Sequence, residues 1–142
     1  MEYTIGIVLA VAVITLMTIA GIGRDRSFYA TMTIVVASYY VLFAVMGGSG
    51  HTIVVESLVA AAFATAAVVG FRSSLWIVVA ALIGHGLMDS VHHEIIANPG
   101  VPAWWPGFCM AFDVVAGGLL AVLLLTRRPY SLQPRAPGRR AG

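Results

Sequence analysis

The sequence predicts an all-α, polytopic membrane helix bundle of five transmembrane helices, with its N-terminus outside and its C-terminus cytoplasmic. Three observations carry this. The chain of 142 residues is 60% hydrophobic and only 10% charged, with a mean hydropathy of +0.94. A soluble domain of this size has no use for so much apolar surface, so lipid must be the solvent for most of it. The apolar residues fall into five runs, each close to the roughly 20 residues a helix needs to cross about 30 Å of hydrocarbon. All 8 basic residues are arginines, and every one lies between or after those runs.

The first run, Thr4–Ile22, follows Met1-Glu2-Tyr3. An acidic start is the wrong n-region for a secretory signal peptide, so a retained membrane anchor is expected. Gly23-Arg24-Asp25-Arg26-Ser27 closes it. The second run, Phe28–Met46, stops at Gly47-Gly48-Ser49-Gly50-His51, and the third, Thr52–Phe71, at Arg72-Ser73-Ser74. The fourth, Leu75–Ile96, gives way to a segment from Asn98 to Gly107 with three prolines and two adjacent tryptophans, and the fifth is Phe108–Thr126. The breaks hold the Gly, Pro, Asn and Ser that turns require. Residues 1–128 read as one bundle domain without internal repeats, and 129–142 as a disordered, Pro/Arg-rich cytoplasmic tail.

Orientation follows from arginine. Arg24 and Arg26 occupy the first break and Arg72 the third, while Arg127, Arg128, Arg135, Arg139 and Arg140 follow the fifth run. With five spans these positions share one face, which the positive-inside rule makes cytoplasmic. The net charge of +2 is therefore a topology signal and not a nucleic-acid footprint. The expected partner is the lipid bilayer, with a homo-oligomer or a larger membrane complex as further candidates. A single cysteine, Cys109, excludes an intramolecular disulfide.

Against this apolar background, the acids and histidines stand out. Glu56, Asp89, Glu94 and Asp113, together with His51, His85, His92 and His93, lie in or beside the apolar runs. Charge in hydrocarbon costs several kcal/mol, so an intramembrane carboxylate or imidazole is a functional-site hypothesis by default. At about 1.5 Å per residue, Glu56, Asp89 and Asp113 fall roughly 5–12 Å beneath the outer surface. Three helices thus deliver acids to one layer of the outer leaflet.

On a continuous fourth helix, His85, Asp89 and His92 sit at i, i+4 and i+7 and share a stripe, with His93 flanking it and Glu94 facing away. His85 and His92 are then about 10 Å apart along the axis, too far to grip one ion together. Imidazole with carboxylate suits a divalent transition metal such as Zn or Fe, so His85, Asp89, His92 and His93 are the expected metal ligands. Glu56 or Asp113 would serve as general base. The alternative is that these histidines merely pair with the acids and tie helices together.

Smaller features also have two readings. Cys109 shares a face with Asp113 and is either a further ligand or a buried, inert thiol. Tyr39 and Tyr40 either hydrogen-bond a site carboxylate or belong to an aromatic belt. The Asn98–Gly107 loop joins the helices carrying Asp89 and Asp113, so it is a candidate lid. Ala60, Ala64 and Ala67 follow Glu56 at helical spacing and predict close packing on that side. Ser49, in a short Gly-rich loop, is expected to be a turn residue.

His85-x-x-x-Asp89-x-x-His92, Asn98-Pro99-Gly100-Val101-Pro102-x-Trp104-Trp105-Pro106-x-Phe108-Cys109 and Asp113-Val114 together resemble an uncharacterised family of small bacterial integral membrane proteins. The resemblance implies a multi-pass protein of the bacterial inner membrane and no particular activity. His85-x-x-x-Asp89 also looks like one element of the prenyl-protein endopeptidases, but Glu56-Ser57-Leu58 does not supply that family's paired glutamates.

Three functions remain open. One is a metal-binding membrane enzyme acting on a lipid or apolar substrate. The second is a proton- or metal-ion transporter subunit that uses the same carboxylates. The third is an accessory subunit whose buried polar groups specify packing against a larger partner. Five helices are few for alternating access, which favours the enzyme.

Overall fold

The computed structural model describes residues 1–126, and the tail expected at 129–142 lies outside the described residues. The fold is all-α. Its helices are α1 (Glu2–Ile19), α2 (Arg26–Gly47), α3 (Gly50–Arg72), α4 (Leu75–Asp89), α5 (His92–Ile95) and α6 (Trp105–Thr126), with a 3₁₀ turn at Ile22–Arg24. Four of them, α1, α2, α3 and α6, are long and apolar enough to cross a membrane. Many large aliphatic side chains are turned outward: Val8, Leu58, Leu87 and Leu125 are each 60% exposed or more. Ala10, Ala44, Ala67 and Ala116 are fully buried. Small residues inside and large apolar residues outside is the pattern of helices that pack closely in lipid.

The local sequence explains the helix ends. Asp25 caps α2 by accepting from the Ser27 N–H at 2.9 Å, a bond that holds its carboxyl below the usual carboxylate range. Ser49 caps α3 through the Thr52 N–H at 3.2 Å, so its hydroxyl serves the turn. Arg26 donates to the carbonyls of Phe71, at 3.0 Å, and Ser73, at 3.2 Å. That brings a cation to the C-terminal end of α3, where the helix dipole favours one. Pro106 falls in the first turn of α6, where a missing N–H costs nothing.

The helices pack in the order α1, α6, α4, α3, α2, and α2 returns to touch α4. One end of the bundle holds the N-terminus, the α2–α3 turn and the long loop before α6. The other holds the 3₁₀ turn and the α3–α4 turn, with Arg26 and Arg72. These are called the loop end and the arginine end.

The fourth run departs from expectation. A single helix over Leu75–Ile96 was expected, but α4 stops at Asp89 after 15 residues, and the short α5 begins at His92. The backbone tightens at the break: Val91 N–H bonds the Met88 carbonyl at 3.1 Å, an i−3 pattern. The Ser90 hydroxyl takes the Leu87 carbonyl at 2.6 Å, competing with the helical ladder. No Gly or Pro marks this point. Tertiary pairing decides it, because His92 turns away from the face of His85 and Asp89 to reach α3.

Candidate metal centre

Two short helical registers make the first cluster. His85 and Asp89 are four residues apart on α4, and Cys109 and Asp113 are four apart on α6. Residues at that spacing share a helix face, and α4 and α6 run antiparallel, so the two pairs meet face to face. Glycine permits the approach. A Cβ on Gly86 of α4 would lie 3.0 Å from the Met110 carbonyl oxygen, and one on Gly117 of α6 would lie 2.8 Å from Ile83 Cγ1. Side chains at those two points would push the helices apart.

Across this seam Nδ1 of His85 lies 2.6 Å from Oδ2 of Asp113 and 3.6 Å from Oδ2 of Asp89. The Cys109 thiol donates to Asp113 Oδ2 at 3.7 Å. One ligating atom from each of His85, Asp89, Cys109 and Asp113 lies within 4.8 Å of every other, and all four residues are buried. Phe63 closes one side, its ring edge-on to the His85 imidazole at 4.8 Å. Asp89 Oδ1 and Oδ2 and Asp113 Oδ1 are buried with no hydrogen-bond partner among the described residues. A desolvated carboxylate without a partner costs several kcal/mol, and a cation or a proton removes that cost. The four side chains are thus placed to hold a metal ion.

A second polar group lies beside the first. His92 Nε2 is 2.9 Å from Glu56 Oε1, and both side chains are buried. Asn98 Nδ2 donates to the same oxygen at 2.8 Å and to the Tyr40 carbonyl at 3.1 Å. The loop is pinned further by Thr52 Oγ1, which donates to the Ala97 carbonyl at 3.3 Å. Gly100 seats against the backbone of α2 beside Gly47. Glu56 Oε2 has no hydrogen-bond partner among the described residues.

Tyr40 connects the two groups. Its ring stacks on His92 at 4.1 Å and approaches His85 at 6.0 Å. Its phenol is within electrostatic reach of Asp89 and Glu56. The hydroxyl oxygen is itself buried without a hydrogen-bond partner.

The expected ligands therefore separate. His85 and Asp89 join Asp113 and Cys109, while His92 belongs with Glu56. The stripe of His85, Asp89 and His92 required an unbroken helix, and the turn at Ser90 removes it. His93 is exposed beside Glu94, at 3.9 Å, and lies outside the cluster. Asp113, expected as a base, stands among the ligating atoms, and Glu56 stands apart from them. Sequence reasoning passed over Asn98, which reads as an ordinary turn residue before Pro99, and Phe63, which reads as core. Neither position carries a spacing signal.

Two cavities reach this region. A vestibule of ≈ 740 Å³ and mixed lining at the loop end has Asp89, His92, His93 and Asn98 among its polar residues. An apolar groove of ≈ 660 Å³ between α1, α2 and α6 has Cys109 among its lining residues. The cluster stands between them. No family model, curated protein or solved structure matches the chain.

Proposed function

We propose that the protein is a metal-dependent integral membrane enzyme acting on a lipid or other apolar substrate, with His85, Asp89, Cys109 and Asp113 as ligands. One observation carries this reading: both carboxylate oxygens of Asp89 are buried with no hydrogen-bond partner among the described residues, and one of them lies within 4.8 Å of three other ligating atoms. A donor set of imidazole, thiol and two carboxylates favours zinc or iron over magnesium or calcium, since thiolate is a soft ligand. Bound there, such an ion would supply Lewis acidity and an activated water.

The remaining roles belong to the chain. Asp113 on α6 meets the His85 ring of α4 at 2.6 Å, which registers the two pairs of ligands across the seam. Glu56 is the general base. Its Oε1 is held by His92 and Asn98, and Oε2 has no hydrogen-bond partner among the described residues. Tyr40 holds His92 by stacking and offers its hydroxyl beside Asp89.

In this reading α4 and the following Ser90–Ile96 segment make the fifth crossing. The arginine end faces the cytoplasm and the site opens toward the outer leaflet. A carrier function is less well supported. Ions leaving toward the arginine end would meet Val78, Leu82, Ala116 and Leu120, all apolar and fully buried.

The test is elemental analysis of the purified, folded protein. Stoichiometric zinc or iron that disappears in Asp89→Asn supports the reading. A well-folded, metal-free preparation that takes up none would leave only a packing role.

A further inference from the structure

The proposed ligands are sealed off. Asp89 and Asp113 have no exposed surface, and His85 and Cys109 are each 1% exposed. An ion held among them has to pass through the protein first. Stripping an ion of water costs several kcal/mol even after the surroundings relax. The favoured way in is therefore the one that keeps polar groups beside the ion until it meets its ligands.

The directions of approach are unequal. From the arginine end the ion would pass Val78, Leu82, Ala116 and Leu120, apolar and fully buried. From the side, the groove between α1, α2 and α6 reaches Cys109, but Ile5, Leu9, Val13, Phe108 and Phe112 line it. From the loop end, the vestibule offers Ser90, His92, His93 and Asn98 on the way to Asp89. Ser90, His93 and Ala103, all exposed, stand at its mouth. Among the described residues, no arginine lines it, and the Met1 ammonium, 3.3 Å from Glu2, lines the groove instead.

The inner end of the vestibule lies where the ligands begin. Of the proposed four, Asp89 alone borders it, and Met110, next in sequence to Cys109, borders it from α6. It therefore ends on the seam between α4 and α6. Both oxygens of Asp89 are buried with no hydrogen-bond partner among the described residues, and one of them lies within 4.8 Å of the other three ligating atoms. A carboxylate so placed can accept an ion at the vestibule and share it inward without breaking a hydrogen bond of its own.

We infer that the metal ion loads from the loop end alone, through the vestibule, and that Asp89 is the first of the four ligands it meets. This rests on the metal-centre reading given above. With the loop end outward, the protein draws its metal from the extracytoplasmic side.

The experiment uses the full-length protein stripped of metal, with zinc ion as the probe. In detergent, where both ends meet the bulk, uptake is followed by stopped flow and zinc content is measured after equilibration. Ala103→Trp, at the mouth of the vestibule, should slow uptake several-fold and leave the final content unchanged. Val35→Trp, which crowds the groove, should change neither. Sidedness is tested without a plug. Ala103→Cys protein is reconstituted in both orientations in sealed phosphatidylcholine vesicles, and zinc is added outside. An impermeant biotin maleimide then tags the molecules whose loop end faces outward, which are captured; wild type, with Cys109 buried, is the tagging control. Zinc is expected in the captured fraction and not in the remainder. Zinc in the remainder, or uptake slowed by Val35→Trp and not by Ala103→Trp, overturns the route and leaves the metal centre standing. Wild type that takes up no zinc at equilibrium in detergent overturns the metal centre and the route with it.

Discussion

Nδ1 of His85 and Oδ2 of Asp113 sit 2.6 Å apart across the contact between α4 and α6. That bond uses Asp113 Oδ2 and leaves both oxygens of Asp89 without a hydrogen bond among the described residues. The cluster is therefore asymmetric: one acid is bonded to the imidazole, and the other is poised for a cation.

Replacing the poised acid should trade function for stability. In Asp89→Asn the buried carboxylate, 3.6 Å from His85 Nδ1 and without a hydrogen bond among the described residues, becomes a neutral amide, which removes a desolvation penalty on the order of 1–3 kcal/mol. Thermal unfolding in detergent should show the metal-stripped variant melting above the metal-stripped wild type. Added zinc or iron should raise the melting temperature of the wild type and not of the variant. An asparagine variant with full metal occupancy would exclude Asp89 as a ligand.

The seam between α4 and α6 should tolerate no side chain at Gly86. Gly86→Val drives a branched group toward the Met110 carbonyl and the Asp113 side chain. Overpacking of this kind costs about 1–3 kcal/mol. Loss of metal binding should accompany the lower melting temperature, since the two ligand pairs move apart. Gly118→Ala is the control: a Cβ there meets nothing within 4 Å. Equal damage from both substitutions would contradict the role given to the seam.

Asn98→Ala takes one of the two donors from Glu56 Oε1 and frees the Tyr40 carbonyl. The cost should be about 1–3 kcal/mol, the range for leaving a buried polar group unsatisfied. Hydrogen exchange is the direct readout, with protection falling around Thr52 and in the loop from Ala97 to Gly100. Metal content should hold, because no ligand changes. Unchanged exchange in that loop would show that the asparagine does not anchor it.

Tyr40 separates packing from chemistry. Tyr40→Phe keeps the ring stacked on His92 and removes a hydroxyl that has no hydrogen-bond partner within 3.5 Å among the described residues, though it lies in electrostatic reach of Asp89. Stability should change by less than about 1 kcal/mol, in line with the small net worth of most hydroxyl contacts. Tyr40→Ala should cost roughly 3–5 kcal/mol, as for other large aromatic deletions. Comparing denaturation midpoints of the two variants tests this, and a phenylalanine variant as unstable as the alanine one refutes it.

Much of the bundle could be read from residues alone, because lipid imposes a simple rule of run length. The runs at Phe28–Met46 and Thr52–Phe71 each match one helix, and the Gly-Ser turn between them is where Ser49 caps α3. The break after Asp89 was not legible. Ser90 and Val91 carry no strong stop signal, and the turn exists because His92 finds Glu56, a contact 36 residues away in sequence. The same limit governed the site. Spacing four along one helix put His85 with Asp89, but which helix would face them depended on where Gly86 and Gly117 let backbones approach. Cys109 and Asp113 were visible as a pair on one face, and their union with His85 is a tertiary fact.

Fifteen residues separate the end of α4 at Asp89 from the start of α6 at Trp105. During synthesis the first half of the cluster is therefore made before its complement. Asp89 is the last residue of α4 and borders the vestibule, so it can stay hydrated during that interval. In the folded chain Asp89 is buried against Cys109 and Asp113 of α6. Chains truncated before Cys109 should accordingly remain open to proteolysis around Asp89, and the full chain should resist it.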